Sequence, residues 1–432
     1  MKITYLKPSM NGGRLLDAMP PLAFALLAAL TPSDVEYEFY DERVEALPAR
    51  LDTDLVAMSV DTFTARRAYR LAESCHKQHI PVVMGGIHPT LIPEEAGQYC
   101  DAVVVGDADV LWPQVIADVR NSRLRKIYRN AAPPDMRGLT FDRAIFEGKR
   151  YLPVVPVLYS RGCKFACEFC AIHAMYPGPP QHRPIAEVAA ELKTIPARRL
   201  IFVDDNLFLD ADNLREFCAA LMPLQKQWAV QISLDCAKHN DLLQLLAQAG
   251  CVCLLIGFES LAEPNLRAMR KGINLGKEYA AAIKAIRAAG IMVWASFIVG
   301  YDADTPETLR ATTEFVLQNK LFLAGLNPLL PFPGTPLYQR FLSENRLLAE
   351  KWWLDAQHQF GKITFRPKHF TPEALTKACL TEKLIIYNNR NIWRRGWDFQ
   401  ANCRNVRHAG VYLAANYLSR KEMMRKQGQA FG

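Results

Sequence analysis

Val155-Pro-Val-Leu-Tyr-Ser160-Arg161-Gly162-Cys163-Lys-Phe-Ala-Cys167-Glu-Phe169-Cys170 is the stretch on which the fold of this chain turns. An apolar run that reads as a strand, Val155–Ser160, passes through the turn Ser160-Arg161-Gly162 into three cysteines within eight residues. Thiolates are soft ligands, suited to zinc or to iron–sulfur clusters. Structural zinc takes four ligands, and His173 would complete a Cys3His set. Three cysteines on one loop at the end of a strand suit a [4Fe–4S] cluster better, because one iron is then left open. The other eight of the 11 cysteines sit in apolar or helical settings, and an odd total in a long chain argues against a disulfide framework.

Downstream of the cysteines the pattern alternates strand and helix. Expected strands are Val155–Ser160, Leu200–Asp204, Val230–Asp235, Val252–Phe258, Met292–Val299 and Phe322–Asn327, with helices at Ile185–Thr194 and Leu275–Ala289 among them. Six βα units imply a (β/α)6-type partial TIM barrel with its site at the C-terminal ends of the strands. Gly272-Ile-Asn-Leu-Gly276-Lys277 is one residue short of a P-loop and runs into Glu278, which excludes a nucleoside triphosphate site there.

Upstream, short apolar runs at Ile3–Leu6, Val35–Tyr40, Leu55–Val60, Pro81–Met84 and Ala102–Val105 alternate with segments such as the amphipathic Ala65–His79. This predicts a Rossmann-like, doubly wound parallel sheet whose binding crevice lies in the loops after the strands. No GxGxxG occurs in the chain, which disfavours a nicotinamide or flavin site. The fold class is therefore α/β: the doubly wound sheet at 1–130, a linker at 131–152 containing Pro133-Pro134, the barrel at 153–346, and a small helical C-terminal domain at 347–432.

The CxxxCxxC spacing, with an aromatic residue before the last cysteine and after the first barrel strand, resembles the radical S-adenosylmethionine (SAM) enzymes over roughly Pro153 to Tyr338. The resemblance implies that Cys163, Cys167 and Cys170 ligate a [4Fe–4S] cluster and that Phe169 lies near the SAM adenine. SAM would chelate the open iron and be cleaved by one electron, from an external donor of flavodoxin or ferredoxin type, to methionine and a 5′-deoxyadenosyl radical. It further implies SAM contacts at Asp204 and Asp205 after the second strand, at Glu259 (for the ribose) after the fourth, and at Gly300 after the fifth. Arg183 and Asp235 are weaker candidates. The alternative for each carboxylate is a helix cap or turn.

The first domain resembles the cobalamin (B12)-binding domain found in one large class of radical SAM enzymes. The resemblance rests on Pro81-Val-Val-Met-Gly-Gly-Ile-His-Pro-Thr90 and Val103–Asp109, and on Pro331-Phe-Pro-Gly-Thr-Pro-Leu-Tyr338 after the sixth strand. It implies cobalamin contacts at Arg43, Ser59, Gly85, Gly86, His88 and Gly106. Where many cobalamin domains carry Asp-x-His-x-x-Gly, this chain reads Asp41-Glu42-Arg43-Val44-Glu45-Ala46. Arginine offers no lone pair to a metal, so bound cobalamin would lack a histidine lower ligand. His88 reads equally as a turn histidine.

Half of the 432 residues are hydrophobic and 22% are charged, a folded composition. The net charge of +8 is concentrated: nine basic residues face only Asp398 and Glu422 from Arg390 onward, leaving +1 on the rest. That argues against a nucleic-acid partner. In this tail Trp393, Trp397, Phe399, Tyr412 and Tyr417 alternate with Arg394, Arg395, Arg404, Arg407, Arg420 and Lys421. A helical cap with arginine stems packed on the barrel is the favoured reading, and a lid or peripheral membrane face the alternative. The longest apolar stretch, Met19–Leu30, is too short to span a bilayer and reads as part of a cytoplasmic protein.

The expected function is methyl transfer from methylcobalamin to an unactivated carbon or phosphorus of a small-molecule, lipid or peptide substrate. Two alternatives stand beside it: radical ring formation or rearrangement without methyl transfer, and a metal-stabilised binding protein without turnover.

Overall fold

The computed structural model describes residues 1–130, 135–276 and 278–431. Pro133, Pro134 and Lys277 lie outside the described residues. Two six-stranded parallel sheets organise the chain.

The first sheet is built from β1 (Lys2–Lys7), β2 (Glu36–Asp41), β3 (Leu55–Ser59), β4 (Val82–Gly85), β5 (Ala102–Val105) and β6 (Ile127–Arg129), in the order β2-β1-β3-β4-β5-β6. The winding reverses between β1 and β3, and in such sheets the crevice outside the strands' carboxyl ends at that point takes the ligand. Both faces are covered, so the strands read as apolar runs rather than alternating ones. In β3, Leu55 and Ala57 join one core, while Val56 and Met58 join the other, as the two-residue side-chain period requires. The second of these cores runs on without a break into the barrel.

Five of these strands match the sequence expectation within one or two residues. β6 does not, because three residues at a sheet edge, Ile127-Tyr128-Arg129 after Lys126, carry no apolar run. The stretch expected as a linker is packed over its described part. Met136, Leu139 and Ile145 are buried, and Tyr37 donates to Asp142 at 2.6 Å.

The second sheet runs in strict chain order: β7 (Val155–Val157), β10 (Arg199–Phe202), β11 (Gln227–Gln231), β12 (Cys251–Glu259), β13 (Met292–Val299) and β14 (Leu323–Pro328). This is the partial barrel expected from the six βα units. Between β7 and β10 a short antiparallel hairpin, β8 (Ser160–Arg161) with β9 (Gln181–His182), brackets the cysteine loop.

The third barrel strand begins and ends earlier than expected. Trp228 is buried in the core, and beyond Gln231 the chain leaves the strand into a buried turn, with the Ser233 amide donating to the Asn206 side chain at 2.9 Å. The helix expected from Leu275 starts at Tyr279, after Gly276 with φ +61°.

Residues 347–371 are irregular rather than helical, tied by single bridges Leu347–Phe365 and Gln359–Ala430. Helices then follow at Pro372–Ile386, Asn389–Gly396 and Val406–Lys426. Tyr412 and Arg395 are fully buried, and Arg395 donates to the carbonyls of Leu321, Phe322 and Ile386, which is cap packing. Trp393, Trp397 and Phe399 face outward instead. No helix among the described residues is long and apolar enough to cross a membrane.

Candidate functional site

The cysteine loop is held from three sides. The Glu168 amide donates to the Met269 carbonyl at 3.1 Å, and the Leu337 amide donates to the Glu168 carbonyl at 3.0 Å. Arg340 grips the Glu168 carboxylate at 2.8 Å. The run Pro331–Tyr338 thus leads into a helix, Pro336–Ser343, capped by Thr335, that presses against the loop. Neither Glu168 nor Arg340 stood out in the sequence. They lie 172 residues apart, and nothing in the local sequence links them.

All three cysteines line a cavity of 540 Å³ at the C-terminal mouth of the barrel. Burial pushes the Cys167 thiol up to about 12, with Lys271 pulling the other way, and burial also raises Cys170. A coordinated metal deprotonates such a thiol outright. Among the described residues no three His, Cys, Asp or Glu converge on a single ion position. A cluster asks only for one thiolate on each of three irons. The donor set therefore fits a [4Fe–4S] cluster with one iron free.

Phe169, Asp205 and Glu259 line the same cavity. Asp205 accepts from the Gly162 amide at 2.8 Å. Glu259 sits where β12 shifts register, and its φ of +64° is a left-handed conformation unusual for a non-glycine residue. A Cβ at Gly257 would overlap the Glu259 carboxylate as it stands, so a larger residue there would push that carboxylate aside. The carboxylate pairs with Lys271 at 3.2 Å, and burial raises its pKa against that attraction.

Asp204 is a correction. It does not line the cavity; it accepts from the Ser160 amide, from the Ser160 hydroxyl at 2.6 Å and from the Tyr159 amide at 3.2 Å. It fastens β10 to the chain entering the cysteine loop. Gly300 is a second correction. Phe365 and Leu375 cover it, with atoms 3.0 and 3.2 Å from where a Cβ would sit, and it is absent from the cavity wall. Arg183 is buried on Glu191 (2.5 Å) and on the Leu158 and Leu139 carbonyls, and Asp235 pairs with Lys164 at 3.1 Å. Neither reaches the cavity.

Burial pushes the Asp204 carboxyl up to about 7, against its hydrogen bonds from Ser160 and Tyr159. The native state therefore holds this proton to higher pH than the unfolded chain, whose carboxyl titrates near 3.9. Its contribution to stability is complete below about pH 4 and is lost as pH rises through about 7. We expect wild type to lose stability relative to Asp204→Asn between pH 4.5 and 7.5, by roughly 1.4 kcal/mol for each pH at which the folded chain alone keeps the proton, taken one pH step at a time. Denaturant midpoints at the two pH values check this, and the opposite sign would refute it.

A second cavity, of 270 Å³, opens at the carboxyl ends of the first sheet, and Ser59, Gly85, Gly86 and Gly106 line it. Gly86 has φ +101°, and a Cβ there would stand 2.7 Å from the Val60 carbonyl oxygen. A glycine-walled cleft of this kind suits the close approach of a large cofactor's tail.

Arg43 and His88 are corrections here. Arg43 forks onto Asp41 at 2.7 Å and donates to the Met19 carbonyl at 2.9 Å. His88 is fully buried between the Tyr69 hydroxyl (3.0 Å) and Thr62 (3.3 Å), and edge-on to Trp353. Beside it, hydrogen bonds from His88, Trp353 and Lys351 hold the Glu95 carboxyl down at about 2, although burial works the other way. His88 thus anchors the C-terminal segment to the first sheet rather than facing a cofactor.

The strand that leads into the cysteine loop also borders the second cavity. Arg161, on β8, lines the second and reaches back to Asp109 at 2.6 Å and Asp107 at 3.3 Å, and Tyr176 donates to Asp107 at 2.8 Å.

Two family models match this chain: the radical SAM superfamily over residues 157–316 and the B12 binding domain over residues 11–116. The fold and the cysteine-walled cavity thus belong to a radical SAM enzyme, the class whose cofactors are a [4Fe–4S] cluster and SAM. More particularly, the chain belongs to the radical SAM enzymes that carry a cobalamin-binding domain.

The bacteriochlorophyllide d C-12(1)-methyltransferase of Chlorobaculum tepidum is 27% identical over 87% of this chain and 84% of its own. The hopanoid C-2 methylase of Rhodopseudomonas palustris is 26% identical over 88% and 73%. The fold is also that of the radical SAM methyltransferase TsrM from Kitasatospora setae, solved with cobalamin and a [4Fe–4S] cluster. The TM-score is 0.68 at 14% identity, covering 98% of each chain.

Proposed function

We propose that this chain is a cobalamin-dependent methyltransferase acting on an unactivated carbon of a small molecule. One observation carries the reading: Phe63, from the loop after β3 of the first sheet, lines the same cavity as Cys163, Cys167 and Cys170. The substrate volume is thus bounded by the cobalamin-binding half and the radical-generating half together.

In this reading Cys163, Cys167 and Cys170 hold the cluster, and Phe169, Asp205 and Glu259 hold SAM. Ser59, Gly85, Gly86 and Gly106 admit cobalamin. When bound, these groups supply a hydrogen-abstracting radical and a transferable methyl group. The chain's own work is to position and to exclude water. Lys271 neutralises Glu259 beside Cys167, and Phe332, Phe360 and Phe431 wall the cavity. Asp204 fixes the approach to the cysteine loop without touching the cofactors.

The division at 1–130, 131–152, 153–346 and 347–432 then separates a cobalamin part, a packed connection, a radical part and a closing part. Eleven free cysteines fit a reducing, cytoplasmic setting with a ferredoxin- or flavodoxin-type electron donor.

Anaerobic reconstitution with iron, sulfide, cobalamin, SAM and a strong reductant tests this. The expected products are S-adenosylhomocysteine beside 5′-deoxyadenosine, with a corrinoid absorption that survives gel filtration. 5′-Deoxyadenosine alone would move the assignment to ring formation or rearrangement. Absence of any SAM cleavage would leave only a binding protein.

A further inference from the structure

The charged groups along the large cavity are not all paired. Asp205 is engaged by the Gly162 amide, and Glu259 is matched by Lys271. Burial pushes the His358 imidazole down to about 4, so it adds no charge near neutrality. Lys362 is exposed and hydrated at the rim.

Lys383 is different. It projects from the helix Pro372–Ile386 beside the buried stripe Leu375, Cys379, Glu382 and Ile386, and it lines the cavity. Among the described residues no carboxylate lies within ion-pair distance of it, and it makes no hydrogen bond. Burial lowers its pKa, with only Cys379 pulling upward. Its side chain is half-buried, and an ammonium partly withdrawn from water without a counter-ion costs stability. Such a cost is retained where function uses the group.

Another part of the wall is aromatic. The Phe63 ring lies 5.8 Å from Phe332, 6.0 Å from Phe360 and 5.7 Å from Phe431, and all four rings line the cavity. They come from the first sheet, the segment after β14, and the C-terminal region. The pocket is therefore assembled only in the complete fold. Ser296 and Asn327, hydrogen-bonded to each other at 3.1 Å, are polar points on its barrel side.

We propose that Lys383 anchors a carboxylate on an otherwise apolar, ring-bearing substrate whose body lies against Phe63, Phe332, Phe360 and Phe431. This rests on the reading of the cavity as the substrate site. Lys383 is a specificity-determining residue: it holds one end of the substrate, and the rings exclude water from the other. Its ammonium gains the counter-ion the protein does not provide, and charge-assisted pairing is strongest where water is displaced.

Fluorescence titration of the anaerobically reconstituted full-length protein tests this, with saturating SAM and no reductant. The probes are 1-pyrenebutyrate and its neutral counterpart 1-pyrenebutanol. Wild type should bind the acid about tenfold more tightly than the alcohol, the factor that 1.4 kcal/mol gives. K383M should lose that preference while still binding the alcohol, and K383R should keep part of it. K383M should also melt no lower than wild type, because it removes a half-buried charge that no carboxylate pairs; a purely structural lysine would lower the melting temperature.

An equal affinity of wild type for both probes would overturn the proposal. So would an acid preference that persists in K383M, or a loss of SAM affinity in K383M with the probe preference intact. No step of this experiment involves turnover. Failure of the radical chemistry would appear separately, as absent SAM cleavage by wild type.

Discussion

Cys167→Ala is expected to purify with iron near background and to form no 5′-deoxyadenosine from SAM, while the parallel sheet of residues 1–130 stays folded. The cysteine is 5% exposed, on a loop fixed through both backbone groups of Glu168 and through Arg340. None of those contacts involves the sulfur. Its removal takes away a donor while the loop that presents it stays in place. The loss should exceed the roughly 10–100-fold that removal of a metal site's outer partner costs. Cys403→Ala, in the C-terminal region, serves as the control and should retain iron. Iron quantitation and the cluster's visible absorption read the result. Full iron in Cys167→Ala, or tetrahedral zinc in wild type, would remove the source of the radical.

Local sequence revealed what local chemistry determines. The three cysteines were legible because their spacing after a strand is itself the ligand geometry. Ser59, Gly85, Gly86 and Gly106 were legible because strand ends with glycines mark a crevice. Adjacent carboxylates were harder. β10 stops at Phe202, so Asp204 and Asp205 leave the strand in opposite directions, one onto the Ser160 backbone and one into the cavity. Composition cannot assign that parity.

Gly300 failed for a longer-range reason: Phe365 and Leu375, from a segment far along the chain, cover it. His88 failed in the same way, because Glu95 and Trp353 complete its surroundings. Lys271 went unnoticed because a lysine in a polar turn carries no signal until the fold sets it beside Glu259.

Arg161→Ala is expected to destabilise the protein by about 3–5 kcal/mol, the usual consequence of removing one partner from a buried ion pair. Arg161 stands two residues before Cys163. Its guanidinium forks onto Asp109 at 2.6 and 3.0 Å and reaches Asp107 at 3.3 Å, in the loop that follows Gly106 of the glycine-walled cleft. Asp109 is 6% exposed, and burial already raises the pKa of Asp107, so water replaces the lost cation poorly, least of all at Asp109. The same side chain joins the cysteine loop to the first sheet, so the variant should also retain corrinoid less well through gel filtration.

Arg161→Lys should recover only part of the loss, because an ammonium cannot form the planar fork. Arg161→Met combined with Asp109→Asn should recover more, since it leaves fewer buried charges without a partner. Denaturant unfolding of the four proteins separates these cases. A change below about 0.5 kcal/mol in Arg161→Ala, the scale of an ordinary surface substitution, would mean that Arg161 contributes little to holding the two halves together.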